Sequence, residues 1–204
     1  MNSINDKPLF SIITVVYNEV LLIERTILSI LNQKFQNFEF IVIDGGSTDG
    51  TKDIIAKYKS EISIFISESD KGIYDAMNKA IRHAHGEWVN FMNASDVFTN
   101  SDILGKVESV ICKNDFNLIY SDWFLCDTKN PNYKHKFKIA SWQKGIILHQ
   151  SIFYKKELHD KYGLYLRTDQ KFISDYFFFS LIPIENIIKV DFPTFGIRTT
   201  IALI

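Results

Sequence analysis

The sequence predicts an α/β fold in which helices flank a mostly parallel sheet. Through the first half of the chain, short apolar runs rich in β-branched residues alternate with segments whose apolar residues recur at helical spacing. Repeated strand–helix–strand order favours parallel pairing through right-handed crossovers. The 204 residues are 46% apolar and 23% charged, which suits a single domain with its own core. We therefore expect one domain over residues 1–204.

The first predicted strand, Leu9–Tyr17, is a dense β-branched run of the kind found in buried parallel strands. A helix is predicted over Glu19–Gln33, because its apolar residues fall on one helical face. The elements that follow are a strand at Phe38–Ile43, a helix bearing Ile54, Ile55 and Tyr58 and capped by Asp49 or Thr51, a strand at Ile62–Ile66, a helix striped by Ile73, Met77, Ile81 and Ala84, a strand at Trp88–Met92 and a helix at Ser101–Lys113.

The second half is less regular and predicts a smaller, antiparallel part. Its predicted elements are strands at Leu118–Leu125, Tyr133–Ala140 and Ser151–Tyr154, helices at Lys155–Tyr162 and Ser174–Leu181, and a final strand at Ile187–Phe192. No repeat, low-complexity tract or compositional break separates the halves.

Composition and charge exclude several classes of protein. Lys plus Arg number 23 and Asp plus Glu number 24, so no basic excess is available to hold a nucleic-acid backbone. Cys112 and Cys126 form no disulfide framework or zinc pattern, and we expect both to be reduced. The N-terminus lacks the basic and apolar regions of a signal peptide, and no apolar run is long enough to cross a membrane. These features favour a soluble, cytoplasmic protein.

Common nucleotide and hydrolase motifs are missing from the sequence. The turn after the first strand, Tyr17–Val20, contains no glycine, which disfavours a Rossmann oxidoreductase. Neither the phosphate-binding pattern GxxxxGK[ST] nor the nucleophile elbow GxSxG occurs.

Acidic residues instead follow several predicted strands. These strand ends are Tyr17-Asn18-Glu19, Asp44, Glu68–Gly72 and Asn93–Asp96. A single acid at such a position often only caps the next helix, but several at one sheet edge favour a ligand site. Asp44 is suited to accept hydrogen bonds from a base or a ribose. Asp96 is suited to bind Mg²⁺ or Mn²⁺ together with substrate phosphates.

Several runs in the same order resemble one enzyme family, the family-2 glycosyltransferases with the GT-A fold. The runs are SIITVVYNE, FIVIDGGSTDGT, SESDKGIYDAMNKAI, GEWVNFMNASD, HQSIFYKKELHDKYG and ISDYFFF. Together they span about residues 8–195. The resemblance implies a Rossmann-like sheet with a nucleotide-sugar-binding half at about 8–115 and an acceptor-side half at about 116–204.

The activity that the resemblance implies is transfer of a sugar, with inversion, from a nucleotide-diphosphate donor to a hydroxyl. UDP is the family's commonest donor nucleotide, and the acceptor would be a glycan or a lipid-linked glycan in bacterial surface-polysaccharide synthesis, such as lipopolysaccharide or capsule. The enzyme would lie in the cytoplasm or peripherally on the inner face of the cytoplasmic membrane.

The resemblance also assigns roles to individual residues. Tyr17 would pack on the nucleobase and Asp44 would bind it, Asp96 would hold a divalent metal ion, and Asp175 would be the catalytic base. Further contacts are implied for Glu19, Asp70, Lys71, Asn93 and Ser95 with the nucleotide-sugar, and for His149 with the acceptor or a phosphate.

The chain departs from the family pattern at the metal-binding motif. Many relatives carry Asp-x-Asp-Asp where this chain has Asn93-Ala94-Ser95-Asp96, so dependence on Mn²⁺ or Mg²⁺ stays open. A non-catalytic protein that binds sugar nucleotides or acts as a scaffold remains the alternative. Wider relatives place an arginine for the diphosphate at Met77, which we expect in the core, and Lys71 or Lys79 could replace it.

Two further expectations concern basic residues outside these motifs. Lys134, Lys136 and Lys138 alternate with aromatic residues. This stretch indicates an edge strand protected by lysines, or a contact with a lipid diphosphate or an anionic membrane. His159 is expected at the surface.

Overall fold

The computed structural model describes residues 7–126, 136–166 and 174–198. The strands within these residues are β1 (Phe10–Val16), β2 (Phe38–Asp44), β3 (Ile64–Ser67), β4 (Trp88–Phe91), β5 (Asp96–Phe98), β6 (Leu118–Tyr120), β7 (Trp123–Cys126), β8 (Lys136–Lys138), β9 (Ile152–Lys155), β10 (Ile187–Lys189) and β11 (Phe195–Arg198). The helices are α1 (Ile23–Leu31), α2 (Thr51–Ala56), α3 (Ile73–His83), α4 (Ile103–Ile111), α5 (Leu158–Tyr162) and α6 (Ser174–Ser180).

A central sheet of seven strands has the order β10-β6-β9-β4-β1-β2-β3. Strand β1 lies between β2 and β4 and is parallel to both, and β3 continues the parallel set beyond β2. Only β9 runs against its neighbours, β4 and β6. The predicted α/β class with a mostly parallel sheet is therefore confirmed.

The core forms where the predicted apolar faces meet this sheet. Every residue of β1 is buried, as expected for a strand covered on both faces. Ile23, Ile27 and Ile30 of α1 have no exposed surface, which confirms the predicted helical face. Met77 on α3 is equally buried, so its place in the core is also confirmed.

The predicted single strand Leu118–Leu125 is wrong, because the chain leaves one sheet and enters another at Ser121-Asp122. The Ser121 hydroxyl is 2.7 Å from the Thr194 hydroxyl, and it accepts the Thr194 N–H at 3.1 Å. Asp122 accepts the Ala140 N–H at 2.7 Å and pairs with Lys189 at 2.6 Å. These polar partners hold the break between β6 and β7.

The second sheet has four strands in the order β5-β11-β7-β8. Strands β7 and β8 are antiparallel, which confirms the predicted pairing for Lys136–Lys138, while Tyr133–His135 lie outside the described residues. Strands β5 and β11 were not predicted, because each is three or four residues long and pairs only with distant segments. The final predicted strand, Ile187–Phe192, ends at Lys189.

The predicted edge strand with lysines is confirmed for the part that the structure describes. Strand β8 lies at the end of the second sheet, and all three of its residues are exposed. Phe137 packs on Phe124 with ring centroids 5.4 Å apart. None of the described helices combines the length and the apolar character that a membrane crossing requires.

The expectation that His159 lies at the surface is wrong. His159 is 7% exposed, and its ring stacks on that of Phe178 with centroids 4.4 Å apart. One ring nitrogen is 3.0 Å from the Gly163 carbonyl oxygen and the other is 2.9 Å from the Tyr154 hydroxyl. Burial lowers the pKa of His159 to about 4, so the ring is a neutral part of the core.

Candidate active site

The carboxyl ends of β1 and β2 lie side by side, with Val16 opposite Asp44. Tyr17 follows β1 and leaves 61% of its surface exposed. Asp44 is fully buried, and its carboxylate accepts the Gly46 and Ser47 N–H groups and, at 2.6 Å, the Ser67 hydroxyl. Asp44 therefore shapes its own loop, and its contact with a nucleobase stays a prediction.

The loop after β1 is fixed through Asn18, whose φ of 53° lies in the left-handed region. The Asn18 N–H donates to the Ser47 hydroxyl at 2.8 Å, and the Asn18 side chain accepts the Thr48 N–H at 2.9 Å. These bonds join the loops that follow β1 and β2. Unusual backbone geometry of this kind is common where a loop must present a side chain.

Glu19 lies on the side of this loop that faces the start of α2. Its N–H donates to the Thr51 hydroxyl at 2.9 Å. Burial and the negative charge of Asp49 both raise the pKa of Glu19. The structure thus groups Glu19 with Asp49 and Thr51, and its contact with a nucleotide-sugar stays a prediction.

Asp70 lies beside Tyr17, with Gly45 between them. A methyl group on Gly45 would be 3.2 Å from the Asp70 carboxylate and 3.3 Å from the Tyr17 ring. Lys79 pairs with Asp70 and, at 2.8 Å, with Glu68. Its charge is therefore neutralised by two carboxylates, while the Lys71 side chain is exposed.

Asp96 begins β5 and is 2% exposed. The preceding residue, Ser95, has a φ of 92°, and Thr26 of α1 holds the backbone there. The Thr26 hydroxyl accepts the Ser95 N–H at 3.1 Å and donates to the Asp96 carbonyl at 2.8 Å. Burial raises the pKa of Asp96 to about 7, although the hydrogen bond from Gln150 and the nearby His149 oppose that rise.

A chain of hydrogen bonds links the end of β4 to α6. The Asn93 amide nitrogen is 2.9 Å from Nε2 of His149, and Nδ1 of His149 is 2.9 Å from Oδ2 of Asp175. With the Asn93 amide nitrogen as the donor to Nε2, Nδ1 of His149 is the donor to Asp175. The Tyr74 hydroxyl donates to Oδ1 of Asp175 at 2.8 Å and completes the chain.

Asp175 is ionised in this setting. Burial alone would raise its pKa, but hydrogen bonds from His149, Tyr74 and the Tyr176 N–H together lower it. A carboxylate with a lowered pKa keeps its acceptor oxygens available over the neutral pH range. This arrangement can receive a proton from a hydroxyl placed against it.

A cation at Asp96 would depend on amide oxygens as well as on the carboxylate. The described residues contain no group of three His, Cys, Asp or Glu side chains arranged for a metal ion. Two buried oxygens, Asn93 Oδ1 and Gln150 Oε1, have no hydrogen-bond partner among them, and Gln150 contacts Asp96 through its amide nitrogen at 2.9 Å. Carboxylate and amide oxygens are ligands that Mg²⁺ and Mn²⁺ accept, so the donor set fits such an ion.

Four of the predicted site residues, Asn93, Asp96, His149 and Asp175, are thus joined through direct contacts and Gln150. Tyr17 and Asp70 form a second group beside Asp44. Sequence reasoning missed Tyr74 and Gln150 as parts of the site. Gln150 could have been found because it directly follows His149, which was already a candidate. Tyr74 has no such neighbour, and its partner Asp175 is 101 positions away in sequence.

Unfolding measurements test the raised pKa of Asp96. Folded Asp96 keeps its proton up to about pH 7, whereas the unfolded carboxyl loses it near pH 4, so its contribution to stability falls as pH rises between these values. In metal-free buffer, we expect Asp96→Asn to gain stability relative to the parent as pH rises from about 4 to about 7, by up to about 1.4 kcal/mol per pH unit. If the free energies of unfolding of the two proteins changed with pH in the same way, the raised pKa of Asp96 would be contradicted.

The sequence profile of Glycosyl transferase family 2 matches residues 11–177. The chain is 34% identical over 163 residues to the PGL/p-HBAD biosynthesis glycosyltransferase of Mycobacterium bovis, covering 78% of this chain and 63% of that protein. A Haemophilus influenzae glycosyltransferase is 32% identical over 130 residues, covering 62% of this chain and 52% of that protein. The chain thus spans less than two thirds of the length of these relatives.

Solved structures share the same architecture. TarS 1-349 of S. aureus, in complex with UDP-GlcNAc, aligns with a TM-score of 0.79 at 21% identity over 95% of this chain and 59% of that one. The mannosyltransferase PcManGT of Pyrobaculum calidifontis, in complex with GDP-Man and Mn²⁺, aligns with a TM-score of 0.71 at 20% identity over 97% of this chain and 58% of that one. The fold is therefore the GT-A fold. With the profile match over most of its length, the chain belongs to glycosyltransferase family 2.

Proposed function

We propose that the protein is an inverting glycosyltransferase that moves a sugar from a nucleoside diphosphate to an acceptor hydroxyl. The observation that carries this proposal is the hydrogen-bonded chain from Asn93 through His149 to an ionised Asp175. It joins the strand end where donors bind in open α/β sheets to a base on a separate helix. Family membership supports the same reaction class.

The donor would enter beside Tyr17. Its exposed ring offers a face for a nucleobase, and the buried carboxylate of Asp44 lies at the adjacent strand end. Asp70, Lys71 and Glu19 would contact the nucleotide-sugar, as would Asn93 and Ser95. The structural neighbours carry UDP-GlcNAc, UDP and GDP-Man, and we propose a UDP-sugar for this protein.

The reaction follows from the position of Asp175 and from the charge that develops. The acceptor oxygen forms a bond to the anomeric carbon as the bond from that carbon to the diphosphate oxygen breaks. Asp175 receives the hydroxyl proton, and attack from the face opposite the leaving group inverts the anomeric centre. Holding the donor and the acceptor in line supplies much of the acceleration.

A divalent cation, Mn²⁺ or Mg²⁺, would be held by Asp96 and the amide oxygens of Asn93 and Gln150. When bound, it would act as a Lewis acid toward the leaving diphosphate. His149 would contact a phosphate or the acceptor in exchange for one of the two hydrogen bonds that its ring nitrogens make to Asn93 and Asp175.

We propose a glycan or lipid-linked glycan as the acceptor, in the synthesis of a bacterial surface polysaccharide. The relatives named for PGL/p-HBAD biosynthesis support a surface-glycan role. Residues 1–204 would act as one domain, with the donor bound by about 8–115 and the acceptor by about 116–204. The cytoplasm, or the inner face of the cytoplasmic membrane, is the proposed location.

The second candidate is a protein that binds sugar nucleotides without transferring the sugar. One observation favours it: Asp96 is the only carboxylate in the Asn93–Asp96 turn, where many relatives have three. The two candidates predict different fates for the donor.

A donor screen distinguishes these candidates. UDP-, GDP- and dTDP-sugars, including UDP-GlcNAc and GDP-mannose, are tested with and without Mn²⁺ or Mg²⁺ for thermal stabilisation and for release of the nucleoside diphosphate. An enzyme is expected to release the nucleotide from at least one donor that stabilises it. Stabilisation without release from any donor would favour the binding protein.

Replacing Tyr17 by alanine tests the proposed base contact. Loss of a stacked aromatic ring is expected to cost about 1–3 kcal/mol of binding, so the Kd for UDP should rise about 5- to 150-fold by calorimetry. Leu21→Ala is a suitable control, because it removes another exposed apolar side chain from the same region. Equal affinity of the parent and Tyr17→Ala would exclude this base contact.

A further inference from the structure

We propose that Tyr74 is a positioning residue that holds Asp175 in the orientation needed to accept a proton. The inference rests on the proposed function, because it assumes that Asp175 is the base. It assigns to α3 a part in the acceptor chemistry, although α3 follows the donor-side loop that carries Asp70 and Lys71.

The Tyr74 hydroxyl makes two hydrogen bonds at the start of α6, one to a side chain and one to the backbone. It donates its single proton to Oδ1 of Asp175 at 2.8 Å and accepts the Ser174 N–H at 3.1 Å. Its residue is 6% exposed, and its ring packs against Tyr165 with centroids 5.9 Å apart. A buried hydroxyl that makes two hydrogen bonds and belongs to a packed ring has little freedom to move.

The Asp175 carboxylate is held from two directions. His149 bonds Oδ2 at 2.9 Å, whereas Tyr74 and the Tyr176 N–H bond Oδ1. The Tyr176 N–H belongs to the next residue of the same helix, so it moves together with Asp175. Tyr74 is therefore the only described group outside α6 that holds Oδ1, and removing its hydroxyl would free that oxygen to rotate.

Tyr74 is suited to remain a donor throughout. Burial raises its pKa first, and the hydrogen bond and the negative charge of Asp175 raise it further. The phenol therefore keeps its proton across the neutral pH range, and Asp175 remains the group that receives the proton from the substrate.

The test is Tyr74→Phe, which removes the hydroxyl and keeps the ring. With the best donor from the screen, kcat for release of the nucleoside diphosphate is expected to fall about 10- to 100-fold, as for other residues that orient a reacting group. The donor KM and the stabilisation by UDP should stay within twofold of the parent. An unchanged kcat would overturn the inference.

Tyr154→Phe is the matched control. Its hydroxyl is also buried, and it bonds His159 and Tyr165 at 2.9 Å without contacting Asp175. We expect this variant to lose stability and keep the parental kcat. Equal losses of kcat in both variants would mean that Tyr74 acts only through the stability of the core, and would overturn the inference.

A double variant separates this inference from the proposed function. If Asp175→Asn releases nucleotide at the parental rate, the base assignment itself fails. If Asp175→Asn is impaired, adding Tyr74→Phe should reduce kcat no further, because both changes affect one group. An additive loss would overturn the positioning role.

A crystal structure of Tyr74→Phe provides a readout that is independent of turnover. The Asp175 carboxylate is expected to leave the orientation that it has in the parent, with Oδ1 displaced. An Asp175 side chain that stays in place would overturn the inference even if kcat fell.

Discussion

Replacing Asp175 by asparagine is expected to reduce sugar transfer by about 10²–10⁴-fold, which is the contribution of a general base. Asparagine fills the same space, and its oxygen can still accept the Tyr74 and Tyr176 donors that now bond Oδ1. It has no basic oxygen to take the proton from the acceptor. Donor binding should persist. Asp175 lies on α6, far from the Tyr17 loop in sequence, and the hydrogen bonds described for its carboxylate are to other residues. The measurement is transfer or nucleotide release, with UDP binding followed in parallel.

Asp115→Asn is the control for this change. Asp115 carries the same carboxylate, but its side chain is 96% exposed and pairs only with Lys155 among the contacts described. Exposed ion pairs contribute little to stability, so this variant should behave as the parent does. If Asp175→Asn transferred sugar at the parental rate, another group would have to accept the proton.

Replacing Gly86 by alanine is expected to lower the free energy of unfolding by about 3 kcal/mol or more. An added methyl group would lie 2.6 Å from the Phe10 carbonyl carbon, with the Ser11 backbone nitrogen even closer. Both atoms belong to β1 at the centre of the sheet, so neither can move without disturbing its neighbours. The change also strains the hydrogen bonds from the Gly86 N–H to Ser11 and Glu39. Chemical denaturation measures the loss.

Gly105→Ala provides the opposite expectation. Gly105 lies inside α4, and an added methyl group there would come no closer than 3.9 Å to the Phe35 side chain. Alanine favours the helix over glycine by about 1 kcal/mol or less, so this variant should be slightly more stable. A Gly86→Ala protein as stable as the parent would mean that the two backbone segments are not packed as closely as described.

The parallel half of the fold could be predicted because each of its elements carries its own signal. Strand β1 is apolar throughout, and α1 shows a complete helical stripe. In the second half, the partners that decide the structure are distant in sequence. The break at Ser121 depends on Thr194, and β11 pairs with β5 and β7. Local patterns contain no information about such partners.

The site could be predicted to a similar extent and for the same reason. The loops at the strand ends, together with the family resemblance, identified Asn93, Asp96, His149 and Asp175 as candidates. The bonds among them depend on where the second half folds back onto the first. Tyr74 shows this limit, because in sequence it is one more aromatic residue on a helix. His159 was misassigned because its neighbours in sequence are charged, while its neighbours in space are aromatic.

The Thr26 hydroxyl has a consequence for how this molecule can vary. It holds the backbone on both sides of the Ser95–Asp96 peptide link, yet it belongs to α1, which packs behind the sheet edge. The location of Asp96 is therefore set by a helix that need not contact any substrate. We therefore expect substitutions that tilt or slide α1 to move Asp96 without touching it, so the proposed role of Asp96 can be tested from residues of the interior as well as from the strand ends.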